Sequence, residues 1–397
     1  MSLETAANAA EKRQFSWRMS LFFFGYFCFG GVVLPFFPVW LQARGLTEVQ
    51  IASCIALPAL GRVLLTPLAG LFADRAPNRR FAIICLTVPA ALIFFFAGQA
   101  SGYVPILLIT GAAFTAQTLA QPAAEALALT GMRRLGLDYG RLRVSGSIAF
   151  IVTNLGSGAL LSLLYPGAIF WLIAGTLVIS VAVAFALPVT PKAVRRADDA
   201  ARPDARPVWR VLARPGFLAL ILVGALVQAS HAVLYSFGSI HWRALGFDGI
   251  EVGAFWAIGI VVEVTVFSFS GVLVRRFGPL GLMAIGACAA IIRWAAAAQD
   301  PGFLGFLALQ SLHGLTFGAV YLGNQHAIAR AVPEEMTASA QGIYAMITGV
   351  IMAGTTQLAG TLYQSYGAEA YLFMIALPVV ALLILAGYAA IGQRRRR

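Results

Sequence analysis

Long apolar runs separated by short polar segments make up most of the chain. Windows of about 20 apolar residues, enough for a helix to cross a hydrocarbon core of about 30 Å, can be placed twelve times. Such runs are longer than buried strands of soluble proteins. We therefore predict an all-α membrane protein with twelve transmembrane helices. Their cores lie near residues 17–41, 48–73, 81–99, 103–131, 141–164, 166–188, 215–242, 249–274, 279–298, 302–330, 337–365 and 368–391.

One long polar stretch, residues 189–214, divides these helices six and six. It holds Pro191, Pro203 and Pro207 with seven Lys or Arg, and has too little apolar content to fold alone. We therefore expect a six-helix half at 1–188, a cytoplasmic linker at 189–214 and a six-helix half at 215–397.

The two halves also repeat weakly. A single offset aligns Gly45 with Gly246, and it likewise aligns the landmarks at the end of predicted helix 2 with Gly271 and Arg276. Duplicated halves produce such an offset, as in transporters whose site lies between repeats. The repeat predicts two pseudo-symmetric bundles.

Composition and charge agree with a bilayer location. The 397 residues are 60% hydrophobic and 11% charged, yet carry a net charge of +12. All Lys and Arg except Arg44, Arg62, Arg243 and Arg293 lie at the N-terminus, in alternate loops or in the Arg394–Arg397 tail. The positive-inside rule therefore predicts cytoplasmic termini, and no nucleic-acid partner is needed to explain the charge.

Other classes of protein lack sequence support. The four cysteines fall inside apolar runs without paired spacing, which argues against disulfides and a metal site. There is no nucleophile motif, phosphate loop or metal cluster, so we expect neither an enzyme nor a cofactor. The first apolar run is too long for a signal-peptide core and is expected to be retained. Abundant Ala and Arg with few Lys are typical of a GC-rich bacterial genome, and we expect the protein to lie in a bacterial inner membrane.

Predicted helix 2 ends in a recognisable motif. Gly70 is followed by Asp74-Arg75 and a basic cluster, which resembles the loop 2–3 signature of the major facilitator superfamily. The Gly allows close helix packing, and the Asp and Arg form ion pairs that latch the cytoplasmic face. The alternative is an ordinary basic loop that obeys the orientation rule. Pro77-Asn78 departs from the signature.

Four charged residues fall at membrane depth, where each costs about 2.5–3.5 kcal/mol unless it is paired or faces water. They are Arg62, Glu125, Glu263 and Arg293. Two acids and two bases suggest mutual compensation in a polar cavity. The alternative is structural ion pairs that set helix register.

Polar side chains also recur on helical faces. Gln117, Gln121 and Glu125 are spaced four apart in predicted helix 4, and we expect this face to line a cavity. All four histidines fall in predicted helices 7 and 10. They are either interhelical hydrogen-bonding groups or part of a site that includes His231.

Predicted helix 10 carries a second stripe, and the turn after predicted helix 4 carries a candidate ion pair. The stripe contains His313, Phe317, Tyr321 and Asn324. Across the short turn, an antiparallel helix pair would bring Arg143 next to the helix-4 carboxylate. The alternative is that the arginines of this turn are interfacial anchors.

The segment around the turn after predicted helix 4 resembles the lactose permease branch of the major facilitators, in which a helix-4 carboxylate precedes Gly-Arg-x-Arg-x-x-Gly. Here this reads Glu125 and then Gly140-Arg-Leu-Arg143-Val-Ser-Gly146. The resemblance extends to a helix-8 acid, a helix-9 arginine and a helix-10 histidine. It implies substrate binding and proton coupling at Glu263, Arg293 and His313.

From end to end the chain is similar to the phenylpropionate-permease family. The segments that carry this similarity are Gly25-Tyr26-Phe27, Leu34-Pro35-Phe36, Leu137-Asp138-Tyr139-Gly140, Ala229-Ser230-His231-Ala232, Val261-Val262-Glu263-Val264 and Leu309-Gln310-Ser311-Leu312-His313. The resemblance implies a major facilitator fold, alternating access and proton-coupled symport of a small organic solute by a monomer. An aromatic carboxylate such as 3-phenylpropionate is the leading candidate. Sugar or nucleoside symport and drug or metabolite export remain open, and a membrane enzyme or sensor is disfavoured.

Two departures from the permease pattern refine this expectation. Phe150 stands where the permeases have the tryptophan that stacks on sugars, which favours a flat or apolar ligand. Thr316 replaces the carboxylate that follows the helix-10 histidine. Proton coupling must therefore rest on Glu263, our leading candidate, or on Glu125, or be absent. Arg143 and Arg293 would supply positive charge to an anionic substrate.

Overall fold

The computed structural model describes residues 3–189, 214–332 and 336–394, in which every regular element is a helix. Residues 190–213 of the predicted linker and the tail from residue 395 lie outside the described residues. The helices are α1 Leu3–Ala43, α2 Glu48–Arg75, α3 Arg79–Phe95, α4 Tyr103–Leu135, α5 Tyr139–Leu163, α6 Ala168–Ala186, α7 Pro215–Ala229, α8 Ala232–Ala244, α9 Gly249–Ser268, α10 Ser270–Ala297, α11 Gly302–Ser311, α12 Val320–Ala331, α13 Thr337–Tyr366, α14 Ala370–Met374 and α15 Ala376–Arg394. A π-helix at Gly314–Ala319 joins α11 to α12, and short 3-10 turns occur at Phe96–Gly98 and Gly367–Glu369.

Among the described residues, eleven helical segments are long and apolar enough to cross a membrane. The last of them, Ser339–Ile391, has 53 residues, whereas about 20 suffice at 1.5 Å per residue. Its helix breaks at Gly367, where φ is 55° and ψ is −129°. The two cores predicted near 337–365 and 368–391 lie on either side of this break.

Two segments that the sequence predicts as continuous helices are interrupted. Between α7 and α8, the Ser230 hydroxyl donates to the Val227 carbonyl at 2.7 Å, and His231 Nδ1 lies 3.1 Å from the same carbonyl. In a continuous helix the Val227 carbonyl would accept a hydrogen bond from a backbone N–H. Here the two side chains bond to it instead. The second interruption is the π-helix, an element found frequently at functional sites.

The described residues form two compact units. The N-terminal unit comprises Met1–Val194 and Trp242–Gly253. In it α1 packs against α5 and α6, while α4 packs against α2 and α3. The predicted division at 188 and 215 does not account for residues 242–253. They join this unit because Gly158 on α5 and Gly249 on α9 bring the two backbones so close that a Cβ at either position would overlap the other's carbonyl.

The C-terminal unit comprises Arg195–His241 and Ala254–Arg397. Here α7 packs against α12, α13 and α15, and α10 packs against α12, α15 and the π-helix. Within α10 the backbone breaks at Gly278, where φ is 67° and ψ is 168° and Pro279 follows. The helix that resumes at Pro279 corresponds to the predicted helix 9 and carries Arg293.

Candidate functional site

The N-terminal unit contains an ion pair between α4 and α5. Gly136 in the left-handed conformation ends α4, and the Asp138 side chain accepts the Arg141 N–H to cap α5. This tight reversal brings Arg143 Nε to 3.6 Å from Glu125 Oε1. The contact predicted across this short turn is confirmed.

The surroundings of this pair are aromatic and partly open. The Tyr139 hydroxyl donates to Glu125 Oε2, and the Arg143 guanidinium carbon lies 3.9 Å from the Phe27 ring centroid. Gly146 makes room for this stack, because a Cβ there would lie 2.6 Å from Phe27 Cδ2. The side chains of Arg143 and Glu125 remain 30% and 25% exposed. A solute that reaches this face could therefore exchange partners with either charge.

The other polar residues of α4 behave differently from the prediction. Gln117 is fully buried, and its Nε2 donates to Ser180 Oγ at 3.0 Å. The Tyr26 hydroxyl donates to the Gln117 backbone carbonyl at 2.9 Å. Gln117 therefore ties α4 to α6 and α1 and does not line a cavity. Gln121 is half-buried, and the half-buried Phe150 ring packs near Gly30.

In the C-terminal unit, Arg293 is the centre of a buried polar network. The side chain is 1% exposed. Nη2 donates to Gln310 Oε1 at 2.7 Å, and Nη1 donates to Thr316 Oγ1 at 2.8 Å. These two partners are neutral, so this buried guanidinium has hydrogen bonds but no carboxylate in direct contact with it among the described residues.

His313 connects Arg293 to Glu263. Its Nδ1 lies 3.4 Å from Arg293 Nη1, and its Nε2 lies 3.2 Å from Glu263 Oε2. A guanidinium only donates, so Nδ1 must accept and carry no hydrogen. The hydrogen of the neutral ring is then on Nε2, where it is donated to the Glu263 carboxylate. The three groups form an ordered chain of guanidinium, imidazole and carboxylate.

His231 is fixed in the opposite tautomer. Its Nδ1 lies 3.1 Å from the carbonyls of Val227 and Gln228, so the ring hydrogen is on Nδ1. Its Nε2, 3.0 Å from Thr316 Oγ1, then accepts the threonine hydrogen. Thr316 thus receives a hydrogen bond from Arg293 and passes one to His231. The threonine that replaces the permease carboxylate is a relay between two predicted site residues.

The predicted stripe after His313 is only partly a common face. The rings of His313 and Phe317 stack at 5.1 Å and 19°, and those of Phe317 and Tyr321 at 6.2 Å and 7°. Tyr321 is 39% exposed. Asn324 instead is fully buried, against Gly224 of α7. Asn324 therefore packs between helices in this structure, and its place in the substrate site stays a prediction.

The expected compensation among the four membrane-depth charges is also corrected. Glu125 pairs with Arg143, and Glu263 pairs with His313. Arg62 is exposed and forms no ion pair in the part of the chain that the structure describes. Spacing along one helix does not reveal which neighbouring helix supplies a partner.

The gating motif differs from its prediction. A Cβ at Gly70 would meet no atom within 4 Å, so this glycine does not mediate close packing here. Asp74 and Arg75 are both exposed, and neither makes an ion pair within the described ranges. Arg79 makes the helix contact instead, because its Nη1 donates to the Ala126 carbonyl at 2.8 Å and to Thr130 Oγ1 at 2.6 Å.

Two members of the clusters were not singled out by the sequence. Tyr139 bonds Glu125 and Gln310 accepts from Arg293. The sequence does contain a signal for Gln310. It precedes His313 by three residues, which places both on one face of α11 and the turn after it.

Comparison with known proteins identifies the chain. Residues 16–374 match the model of the MFS_1 like family. This chain belongs to that family. It is 30% identical over 375 residues to the probable 3-phenylpropionic acid transporter of Escherichia coli K12, covering 92% of this chain and 96% of that protein. It is 27% identical over 370 residues to the maltose permease of Geobacillus stearothermophilus, covering 92% of each.

Solved structures support the same fold. The crystal structure of the nucleoside transporter NupG superposes with a TM-score of 0.80 at 17% identity, covering 95% of this chain and 98% of that one. The protein is therefore a multi-pass membrane transporter of the major facilitator class, and not an enzyme. Its relatives move different solutes, so its own substrate must be argued from its residues.

Proposed function

We propose that this MFS transporter carries small aromatic carboxylates, such as 3-phenylpropionate, into the cell together with protons by alternating access. We also propose twelve membrane crossings, because the break at Gly367 divides a segment long enough for two. Both termini are placed in the cytoplasm of a bacterial inner membrane, and one chain is the functional unit.

The observation that carries the proposal is the chain of Arg293, His313 and Glu263. A proton that arrives on His313 Nδ1 would point an N–H at the Arg293 N–H, which is repulsive. A proton that arrives on Glu263 removes a negative charge that is costly at membrane depth. Glu263 is therefore the favoured acceptor, and its protonation weakens the bond from His313 without breaking a direct ion pair.

Arg143 is the favoured contact for a substrate carboxylate. It is partly exposed, and its guanidinium lies over Phe27 and at 5.8 Å from the Phe23 ring centroid. A carboxylate could replace Glu125 on the guanidinium while the ring of the substrate contacts neighbouring aromatic side chains. The name of the E. coli relative supports this substrate class.

The test is uptake of labelled 3-phenylpropionate into proteoliposomes with and without an inward proton gradient. We expect gradient-driven accumulation by the wild type. Glu263→Gln should abolish accumulation but retain exchange of internal for external substrate, and the exposed Glu369→Gln is the matched control. Wild-type protein that moves no 3-phenylpropionate under either condition would refute the substrate, and maltose and nucleosides would be tested next.

A further inference from the structure

A second cluster of titratable side chains surrounds His241. His241 near the end of α8 places Nε2 at 2.6 Å from Asp300 Oδ1. The Tyr363 hydroxyl of α13 lies 3.2 Å from Nδ1 of the same ring. Asp300 belongs to the turn between α10 and α11. Three separate elements of the C-terminal unit therefore meet at one imidazole, which is 8% exposed.

The backbone and the packing hold this cluster in place. Asp300 has φ 49°, and no other non-glycine residue in the described ranges has a positive φ. Short polar side chains tolerate this left-handed conformation because they bond locally. The Tyr363 ring is fixed by a parallel stack on Phe237 at 4.5 Å and 5°. The conformation of the turn is therefore well defined, and it directs the Asp300 carboxylate at His241.

The hydrogen bonds permit two protonation states of His241. A carboxylate accepts only, so the hydrogen toward Asp300 is on Nε2 in both states. A neutral ring accepts the Tyr363 hydrogen at Nδ1, whereas a protonated ring donates to the Tyr363 oxygen. The tyrosine hydroxyl can turn to suit either. The Asp300 contact changes from a hydrogen bond of a neutral ring to a full ion pair, which is stronger.

Two titratable groups of the described residues contact His241 directly. Asp300 faces it from the turn and Tyr363 from α13. Tyr371 of α14 is near enough to interact electrostatically with Asp300, Tyr363 and Arg293. A positive charge on His241 therefore acts most directly on Asp300, whose carboxylate it contacts.

The hairpin formed by α10, this turn and α11 carries the buried network. Arg293 lies two helical turns before Asp300, and Gln310 and His313 lie on the return segment. Trp294 fixes α10 against its neighbours, since its Nε1 donates to Ser230 Oγ at 2.9 Å and its ring stacks on Tyr371 at 5.8 Å. A shift of the turn at Asp300 would therefore move residues on both sides of the Arg293 network.

We propose that His241, Asp300 and Tyr363 form a second protonation site that positions the α10–α11 hairpin and, through it, Arg293 and His313. His241 is a positioning residue in this proposal and contacts no substrate. Protonation of His241 tightens the hairpin, and deprotonation loosens it. The link from the hairpin to transport rests on the proposed symport, but the protonation-dependent tightening does not.

The test uses hydrogen exchange of full-length protein in lipid nanodiscs at pH 5.5 and pH 8, corrected for intrinsic exchange rates, so that it needs no substrate. We expect the backbone amides near the turn to exchange about tenfold more slowly at the lower pH in the wild type. His241→Gln keeps a donor for Asp300 and a group for Tyr363 but cannot take a proton, and should abolish this difference. The exposed His326→Gln should keep it.

A second variant separates the proposed effect from a folding defect of His241→Gln. Asp300→Asn preserves the left-handed turn and a hydrogen-bond acceptor while removing the charge, and it should abolish the same difference. A wild-type pH difference that persists in both variants, or that is absent from the wild type, overturns the proposal. Uptake assays on the same samples separate the two proposals. Absence of any uptake refutes the symport, while the exchange data still decide the role of His241.

Discussion

The two units stabilise an arginine in opposite ways. In the N-terminal unit Arg143 contacts a carboxylate directly, and both partners keep about a quarter or more of their side-chain surface exposed. In the C-terminal unit Arg293 is 1% exposed, bonds neutral oxygens and is linked to Glu263 through His313. The first arrangement leaves charges that a solute can contact, whereas the second separates them with a titratable ring.

This difference indicates a division of labour. A direct ion pair that is partly exposed is worth little to stability, so its geometry is free to serve binding. A fully buried guanidinium depends on every acceptor around it, so its network is rigid and sensitive to one added proton.

Removal of the buried cation should be the most damaging change. Arg293→Met leaves Gln310 and Thr316 without their donor and Glu263 without its indirect counter-charge. We expect the free energy of unfolding to fall by about 3–5 kcal/mol. Arg143→Met should lose less than about 1 kcal/mol, because its pair is partly exposed. Thermal unfolding in detergent compares the two, and equal losses would contradict the proposed contrast.

The geometry of the exposed pair should depend on one glycine. Gly146→Ala would place a Cβ 2.8 Å from Arg143 Nη1 and 2.6 Å from Phe27 Cδ2. We expect a cost of about 1–3 kcal/mol in unfolding free energy because α1 and the arginine must move. Gly156→Ala on the same helix is the control, since no atom lies within 4 Å of its Cβ. Similar stability of both variants would show that the stacked side chains of Phe27 and Arg143 move aside at little cost in free energy.

Neutralising the helix-4 acid should distinguish an anionic substrate from a neutral one. In Glu125→Gln the substrate carboxylate no longer competes with Glu125 for Arg143, so we expect the KM for 3-phenylpropionate to fall roughly tenfold. A sugar or nucleoside held by the Glu125 carboxylate would instead bind more weakly. Initial rates of uptake measure this, with Glu369→Gln as the matched control. A raised KM for 3-phenylpropionate would count against Arg143 as its carboxylate site.

Loss of the threonine relay should have the smallest effect. Thr316→Val keeps the shape of the side chain but removes an acceptor for Arg293 and a donor for His231. We expect a loss of about 1 kcal/mol in unfolding free energy. Ser311→Ala removes only a local bond to the Ala308 carbonyl and serves as the control. Indistinguishable unfolding curves for the two variants would mean that Thr316 is no relay.

The parts of the site that the sequence predicts well are those that are local in the chain. Glu125 and Arg143 are joined by one short turn, so helix geometry alone brings them together. Glu263 and His313 lie on helices separated by the whole of α10, and no periodicity reveals that they touch. Gln117 shows the opposite error. Its spacing matches that of Glu125, but its side-chain amide donates to Ser180 Oγ and does not line a cavity.

The lengths of the apolar runs alone predict where most spanning helices lie, because crossing a hydrocarbon core demands long apolar runs whatever their neighbours are. The same runs predict which polar residues fall at membrane depth. The tertiary structure decided their partners, the break at His231, the π-helix after His313 and the cluster of His241 with Asp300. Those features depend on which atoms of distant helices come within hydrogen-bonding distance, and that distance is set by packing of the whole unit rather than by any local pattern.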